Sequence, residues 1–184
     1  KKPVFPFNKF PKQNIFLSPE MRSTGEVIGF DSQLGSAYAK AELGAGNILP
    51  SSGICFISVN DYDKKKIIQI VRDLEEMNFS FIATRGTSQL LNENGICAKN
   101  IYKVGEGRPN IVDEIKNHSV SIIINTPLGS QSRYDEYKIG QAAIKYNIPV
   151  ITTLSGAQAV VRAIRLVKNN KLTYVSLQDI FNNK

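Results

Sequence analysis

The 184-residue sequence has no tryptophan, one histidine and two cysteines. No apolar run approaches the ~20 residues that span a membrane. Each shortage closes something off. His118 stands alone and Cys55 and Cys97 lack metal-ligand spacing, so neither a His-paired thiol nucleophile nor a thiolate metal site is expected. Both cysteines lie in apolar, strand-like runs (GICFISV and GICAKNI) and read as buried, reduced thiols of a cytosolic protein. The amino terminus has no signal-peptide pattern, and no membrane partner is expected. It also lacks an initiator methionine, so KKPVFPFNKFP reads as the start of a piece excised from something longer.

What remains is ordinary globular composition, 42% hydrophobic and 21% charged, in a chain long enough to bury a core. The net charge of +7 permits an anionic partner. The lysines are scattered and no aromatic–basic platform accompanies them, so a solvated cationic surface is expected rather than nucleic-acid binding. A phosphate-bearing small molecule stays open.

Two regions differ in pattern. Residues 1–50 hold Phe5, Phe7, Phe10, Phe16 and Phe30, interrupted by Pro3, Pro6, Pro11 and Pro19. This is irregular, proline-punctuated chain. It carries one short helix over 32–43, capped by Asp31 or Ser32, and ends in the linker GAGNILPSSG. Residues 51–184 alternate strand and helix. Strands are predicted at 54–59, 79–83, 97–104, 120–126 and 149–153. Helices are predicted at 64–78, 87–94, 111–117, 133–146 and 156–168, then a small strand and a helical turn in the tail. Five strands alternating with helices predict an α/β fold of three layers around a mainly parallel sheet, with an irregular, partly helical amino-terminal extension. The length excludes a closed eight-fold barrel.

The carboxyl ends of the predicted strands are polar: SVNDYDK, TRGT, YKVGEG, NTPLGS and TTLSG. In open parallel sheets ligands sit at that edge. Thr84 and Thr87 flank Gly86 where a strand opens into a helix, supplying hydroxyls, free backbone N–H groups and a positive helix end. Lys64 and Lys103 add cations from neighbouring strand ends, and Asn125 and Thr126 add an amide and a hydroxyl. For any one of these residues a helix cap or a turn is the simpler reading, with Thr87 a cap and Thr126-Pro127 a bend. Five loaded strand ends together favour an anion site. GEGRPN lacks the Lys-Ser/Thr that completes a P-loop. Asp61, Asp63 and Asp135 are candidate catalytic carboxylates, but such residues more often cap helices, and Asp61 and Asp63 directly precede one; His118 reads as a solvated turn residue.

PEMRSTGEVIGFD, FISVNDYDK, FIATRGT, IYKVGEGRPNIVDEIKN, IINTPLGS and ITTLSGAQA, in this order and spacing, resemble the end of the carbamoyl-phosphate synthase large subunit. The likeness spans essentially the whole chain. PEMRSTGEV with KVGEGRPNI is highly specific, whereas ATRGT alone marks only the superfamily. The resemblance implies a methylglyoxal-synthase-like (Rossmann-like) regulatory domain over 51–184. It implies that residues 1–50 are the tail of the second ATP-grasp half, lacking most of their packing partner and expected to be partly disordered or engaged in a contact.

The parent enzyme makes carbamoyl phosphate from glutamine-derived ammonia, bicarbonate and two ATP, with Mg2+ and K+, for pyrimidine and arginine synthesis. Its partners are the other large-subunit domains and a glutaminase small subunit, in the cytoplasm. The terminal domain holds no cofactor and does no chemistry. It binds UMP or IMP, with ornithine acting at the boundary to the neighbouring domain. By the same resemblance the effector phosphate falls to Lys64, Thr84, Thr87 and Lys103, with Asn125 and Thr126 nearby. Val104, Ile111 and Asp135 line the base and ribose side, and Thr152 stands on the ornithine side. No catalytic residue and no metal ligand is implied. Relatives that respond to N-acetylglutamate carry a tryptophan where this chain has Lys103, so the nucleotide-type site is favoured.

One departure is plain. Leu128-Gly129-Ser130-Gln131 stands where bacterial relatives have a Ser-Gly-Arg-Arg type sequence, which leaves ribose-side contacts and effector preference open. Arg85 faces ligand or solvent. The enzymatic rival is methylglyoxal synthase acting on dihydroxyacetone phosphate, which needs an aspartate base in a Gly-Asp-Gln loop that this chain lacks. A purine-pathway cyclohydrolase, similar through SVNDYDK and ATRGT, needs a Thr-Leu-His-Pro segment that is also missing.

Overall fold

A computed structural model describes residues 1–4, 25–126, 132–169 and 172–182. In chain order the elements are β1 (Lys2–Val4), β2 (Gly25–Val27), α1 (Leu34–Gly44), β3 (Gly53–Val59), α2 (Lys64–Glu75), β4 (Phe79–Thr84) and α3 (Arg85–Glu93). They continue with β5 (Ala98–Ile101), α4 (Ile111–Lys116), β6 (Val120–Thr126), α5 (Ser132–Lys145), β7 (Val150–Ile151), α6 (Leu154–Lys168) and α7 (Leu177–Asn182). The main sheet has five strands in the order β5-β4-β3-β6-β7, every neighbouring pair parallel. This is the predicted doubly wound α/β architecture, and the order reverses between β3 and β6.

Alternation along the central strands divides two cores. Cys55 and Ile57 of β3, with Ile122 and Ile124 of β6, pack in the larger core with residues of α2 and α6. Phe56 and Ile123 point the other way, onto Ile111 and Ile115 of α4 and Ile139 and Ala143 of α5. A strand covered on both faces needs a continuous apolar run, which is why GICFISV and VSIIIN read so clearly. Helix α2 buries Ile67, Ile70, Val71 and Leu74 along one stripe. Truncating any of them to alanine is expected to cost about 2–5 kcal/mol.

The described parts of the amino-terminal region hold regular structure. β1 and β2 pair antiparallel, Pro3 opposite Glu26. Asp31 anchors the start of α1: its carboxylate accepts from Gln33 N (3.0 Å), Ser36 Oγ (2.8 Å) and Lys40 Nζ (2.7 Å). These bonds, the Lys40 one foremost, hold the Asp31 carboxyl far below the usual carboxylate range. Helix α1 is gripped between two backbones. A Cβ on Gly29 would stand 1.8 Å from Ala37 O, and one on Gly35 would stand 3.0 Å from the Arg162 backbone in α6. The phenylalanine-rich residues 5–24, including the first part of PEMRSTGEV, lie outside the described residues, so the disorder expected there is untested.

Other expectations need correcting. Cys55 is buried as predicted, but Cys97 is exposed, because β5 begins only at Ala98. The helix after TRGT starts at Arg85 rather than Thr87, with Thr84 at its amino-terminal cap position. Asp63 holds the amino-terminal cap position of α2, but its side chain makes no cap bond and instead accepts from Asn60 Nδ2 at 2.8 Å, while Asp61 does not cap the helix and pairs with Lys64. Strand β7 is shorter than predicted, and residues 172–176 form no strand. His118 sits in an exposed turn with a positive φ of 55°, as expected. Among the described residues no helix is long and apolar enough to cross a membrane.

Candidate functional site

At the carboxyl edge of the sheet, beside the point where strand order reverses, lies an open cleft of about 660 Å³. Ligands occupy such switch points in open parallel sheets, and the volume suits a small molecule. Strand β3 lends Ser58 and Val59, followed by Asn60, Asp61 and Lys64. β4 and α3 lend Thr84, Gly86 and Thr87. Lys103 follows β5, and Asn125 and Thr126 end β6. The structure thus gathers all six residues assigned from sequence to the phosphate in one cleft.

The polar groups here are buried yet loosely bonded. The Thr84 hydroxyl lies 3.3 Å from Ser58 Oγ and 3.5 Å from Thr87 Oγ1. Thr87 Oγ1 accepts from Val59 N at 3.4 Å. Hydroxyl bonds normally run nearer 2.8 Å, so these oxygens retain capacity. Thr87 therefore faces the strand ends from within the first turn of α3, and makes no cap. Asn125 is only 7% exposed, and its side chain has no hydrogen-bond partner among the described residues. Buried amides are normally satisfied, and this one, without a partner among the described residues, lines the cleft.

The charges are placed to match. Lys64 Nζ hangs over the first turn of α3, where a Cβ on Gly86 would stand 3.4 Å from it. A helix amino terminus carries partial positive charge, so an ammonium there is unfavourable unless an anion lies between. Asp61 supplies one carboxylate, its Oδ1 2.7 Å from Lys64 Nζ. The hydrogen bond from Lys64 lowers the Asp61 pKa, and Lys103 adds to the effect. Thr126 is partly committed: its Oγ1 accepts from Asn60 N (3.4 Å) and Asn60 Nδ2 (3.2 Å), while Asn60 Nδ2 also reaches Thr126 O at 3.1 Å. Asn60 thereby ties the end of β3 to the end of β6.

A smaller recess of about 70 Å³ adjoins the cleft and shares Ser58, Thr84, Lys103 and Asn125 with it. Its own walls are Phe56, Val104, Ile111, Ile139 and Asp135. The three residues predicted for a base and ribose side therefore lie together, next to the predicted phosphate residues. Burial raises the Asp135 pKa, Lys103 opposes this, and Glu106 reinforces it.

Thr152 is not in this cleft. It lines a separate pocket of about 190 Å³ with Lys2, Tyr38, Glu42, Asn47 and Thr153. β7 is the outer strand, two places from β3, and its end opens toward α1. Ser58 and Asn60 were not singled out from sequence. The signal was present, since a polar residue at the last inward position of an apolar strand is costly without a purpose. Arg85 is exposed and does not line the cleft. Leu128 to Gln131 lie outside the described residues. Among the described residues no group of three or more His, Cys, Asp or Glu side chains is arranged to hold a metal.

Residues 66–152 match the family model of the MGS-like domain. The chain is 46% identical over 179 residues to the carbamoyl phosphate synthase large chain of Nostoc sp., covering 97% of this chain and 16% of that one. It is 49% identical over 180 residues to the large chain of Archaeoglobus fulgidus, covering 97% and 17%. Against the "C-terminal section" of the large chain of Aquifex aeolicus it is 45% identical over 187 residues, covering 99% and 35%. The chain thus spans about a sixth of the full-length relatives and about a third of that section.

Proposed function

The chain belongs to the MGS-like domain family, in the form that ends carbamoyl phosphate synthase large chains, and from that premise we propose that it is an allosteric nucleotide-binding module. The cleft takes the phosphate of a UMP- or IMP-type effector. Lys64, Lys103 and the amino end of α3 supply positive charge, Thr84 and Thr87 supply hydroxyls, and Asn125 and Thr126 close the far side. The base and ribose lie toward Val104, Ile111 and Asp135. The observation that carries this reading is the buried Asn125 amide, without a partner among the described residues, in one cleft with the Lys64 ammonium held over a helix amino terminus. A phosphate answers the amide and gives the helix terminus an anion beyond the single carboxylate, Asp61, that Lys64 already holds.

The domain performs no bond-making step in this reading. It shifts the activity of a larger ATP-dependent synthase, whose other large-subunit domains and glutaminase subunit are its partners. An effector acts only through different affinities for two states of that enzyme, typically ~1–3 kcal/mol of coupling. Thr152 and its pocket are placed on the ornithine side, facing the neighbouring domain. Titration calorimetry with UMP and IMP tests the module directly. Saturable heat with one of them is expected, and no heat with either at millimolar ligand overturns the reading for this chain.

A further inference from the structure

Asp61 is the cleft's odd member, a carboxylate in a place arranged for anions. It follows the end of β3, in a turn fixed by Asn60, whose Oδ1 accepts from Tyr62 N (3.0 Å) and Asp63 N (3.2 Å). Its side chain is 87% exposed, so neither folding nor packing calls for it, yet it holds Lys64 Nζ at 2.7 Å. Lys64 in turn hangs over the first turn of α3, and Lys103, in the same cleft, adds a weaker attraction for the Asp61 carboxylate. The carboxylate thus holds, from the solvent side, the ammonium that stands over the helix amino terminus.

We infer that Asp61 is a built-in counter-anion that competes with the ligand for Lys64 and makes the cleft selective for dianions. This rests on reading the cleft as an anion site. A carboxylate tethered three residues from its lysine acts at high effective concentration, of order millimolar or more for short tethers. A free monoanion brings no more charge than Asp61 already supplies, so it must exceed that concentration to displace it. A phosphomonoester brings nearly two negative charges and three acceptor oxygens, enough to engage Lys64, the α3 amides and Lys103 together. Phosphodiesters and other monoanions are rejected. Asp61 thus lowers affinity for every anion while widening the margin between a terminal phosphate and the rest.

The test uses Asp61→Asn, with amide resonances of Gly86 and Thr87 followed by NMR as the chain is titrated at a pH above the second phosphate ionisation, about 6 for a monoester. The probes are inorganic phosphate, dimethyl phosphate (a monoanionic diester) and UMP. Asp61→Asn is expected to bind inorganic phosphate roughly 2- to 5-fold tighter than the parent, the range typical of losing one exposed ion pair. It is also expected to gain a dimethyl phosphate response, and the gain shrinks as added salt screens the pair. Equal or weaker phosphate binding by the variant, or an unchanged ratio of phosphate to diester affinity, overturns the inference. Phosphate binding without UMP binding defeats the nucleotide reading and leaves this one standing. No response to any probe at Gly86 and Thr87 defeats both.

Discussion

Two polar clusters, one at the middle of the sheet's carboxyl edge and one beside β7, hold similar residues in opposite conditions. Glu42 is buried at 5% side-chain exposure and fully answered: Lys2 Nζ at 2.6 Å, Asn47 Nδ2 at 2.8 Å, and a hydrogen bond with Tyr38, whose phenol burial and Glu42 push well above its ordinary pKa. In the cleft, Thr84 and Thr87 make only long contacts, and Asn125 makes none among the described residues. A closed network stabilises the fold that makes it, whereas an open one is held in place by its neighbours and is free for a ligand. The contrast also appears in two carboxylates. The pKa of Asp31, amid donors, is lowered, and that of Asp135, half-buried beside the cleft, is raised.

The sharpest way to break this comparison is to open the closed cluster. Glu42→Ala leaves Asn47 and Tyr38 without their acceptor, and is expected to cost about 2–4 kcal/mol in chemical denaturation. Anion affinity at the cleft should hold; equal losses in both would show one coupled network instead of two. Next, Lys103→Ala or Thr87→Val is expected to weaken UMP binding by about 1.5–3 kcal/mol, roughly 10- to 100-fold, with little change in the unfolding midpoint. Asn125→Leu should lose affinity without losing stability, and a marked drop in stability would reveal a partner for that amide.

The smallest effects are those of pH. The folded pKa of Asp31 lies below its unfolded value of about 3.9, so its stabilisation is complete above that value and is lost as pH falls through the folded pKa. The folded pKa of Asp135 lies above its unfolded value, so it is unfavourable once pH exceeds both and neutral below them. Thermal unfolding across pH should show Asp31→Asn destabilised at neutral pH and equal to the parent in strong acid. Asp135→Asn should match or exceed the parent at neutral pH. A less stable Asp135→Asn would mean that the carboxylate has a partner after all.

Legibility followed burial. Strands β3 and β6 are covered on both faces and announce themselves as unbroken apolar runs, so β6 was read to the residue over 120–126. β1 and β2 are three residues each, too short to carry a period, and Pro3 argues against a strand. In the tail, LTYVS has strand-like residues, but Thr173 to Ser176 are exposed and pair with nothing in the sheet. The cleft was legible because a parallel sheet sends every loaded strand end to one edge. Which ends share a pocket depends on strand order, which periodicity does not carry. That is why Lys64, Thr84 and Lys103 meet while Thr152, two strands out from β3, opens elsewhere. Asp61 was mistaken for a cap because its true partner is a lysine three residues on, as near in sequence as a cap's amide.

Helix α1 meets α6 through Gly35 and meets residues 28–30 through Gly29, backbone against backbone on both sides. Side chains yield by changing rotamer, and at these two contacts the glycine contributes none. In mechanical terms α1 is a shim rather than a cushion. The close contacts run from α6, whose first turn borders the Thr152 pocket, through α1 to residues 28–30, where Ile28 and Phe30 stand exposed at the surface.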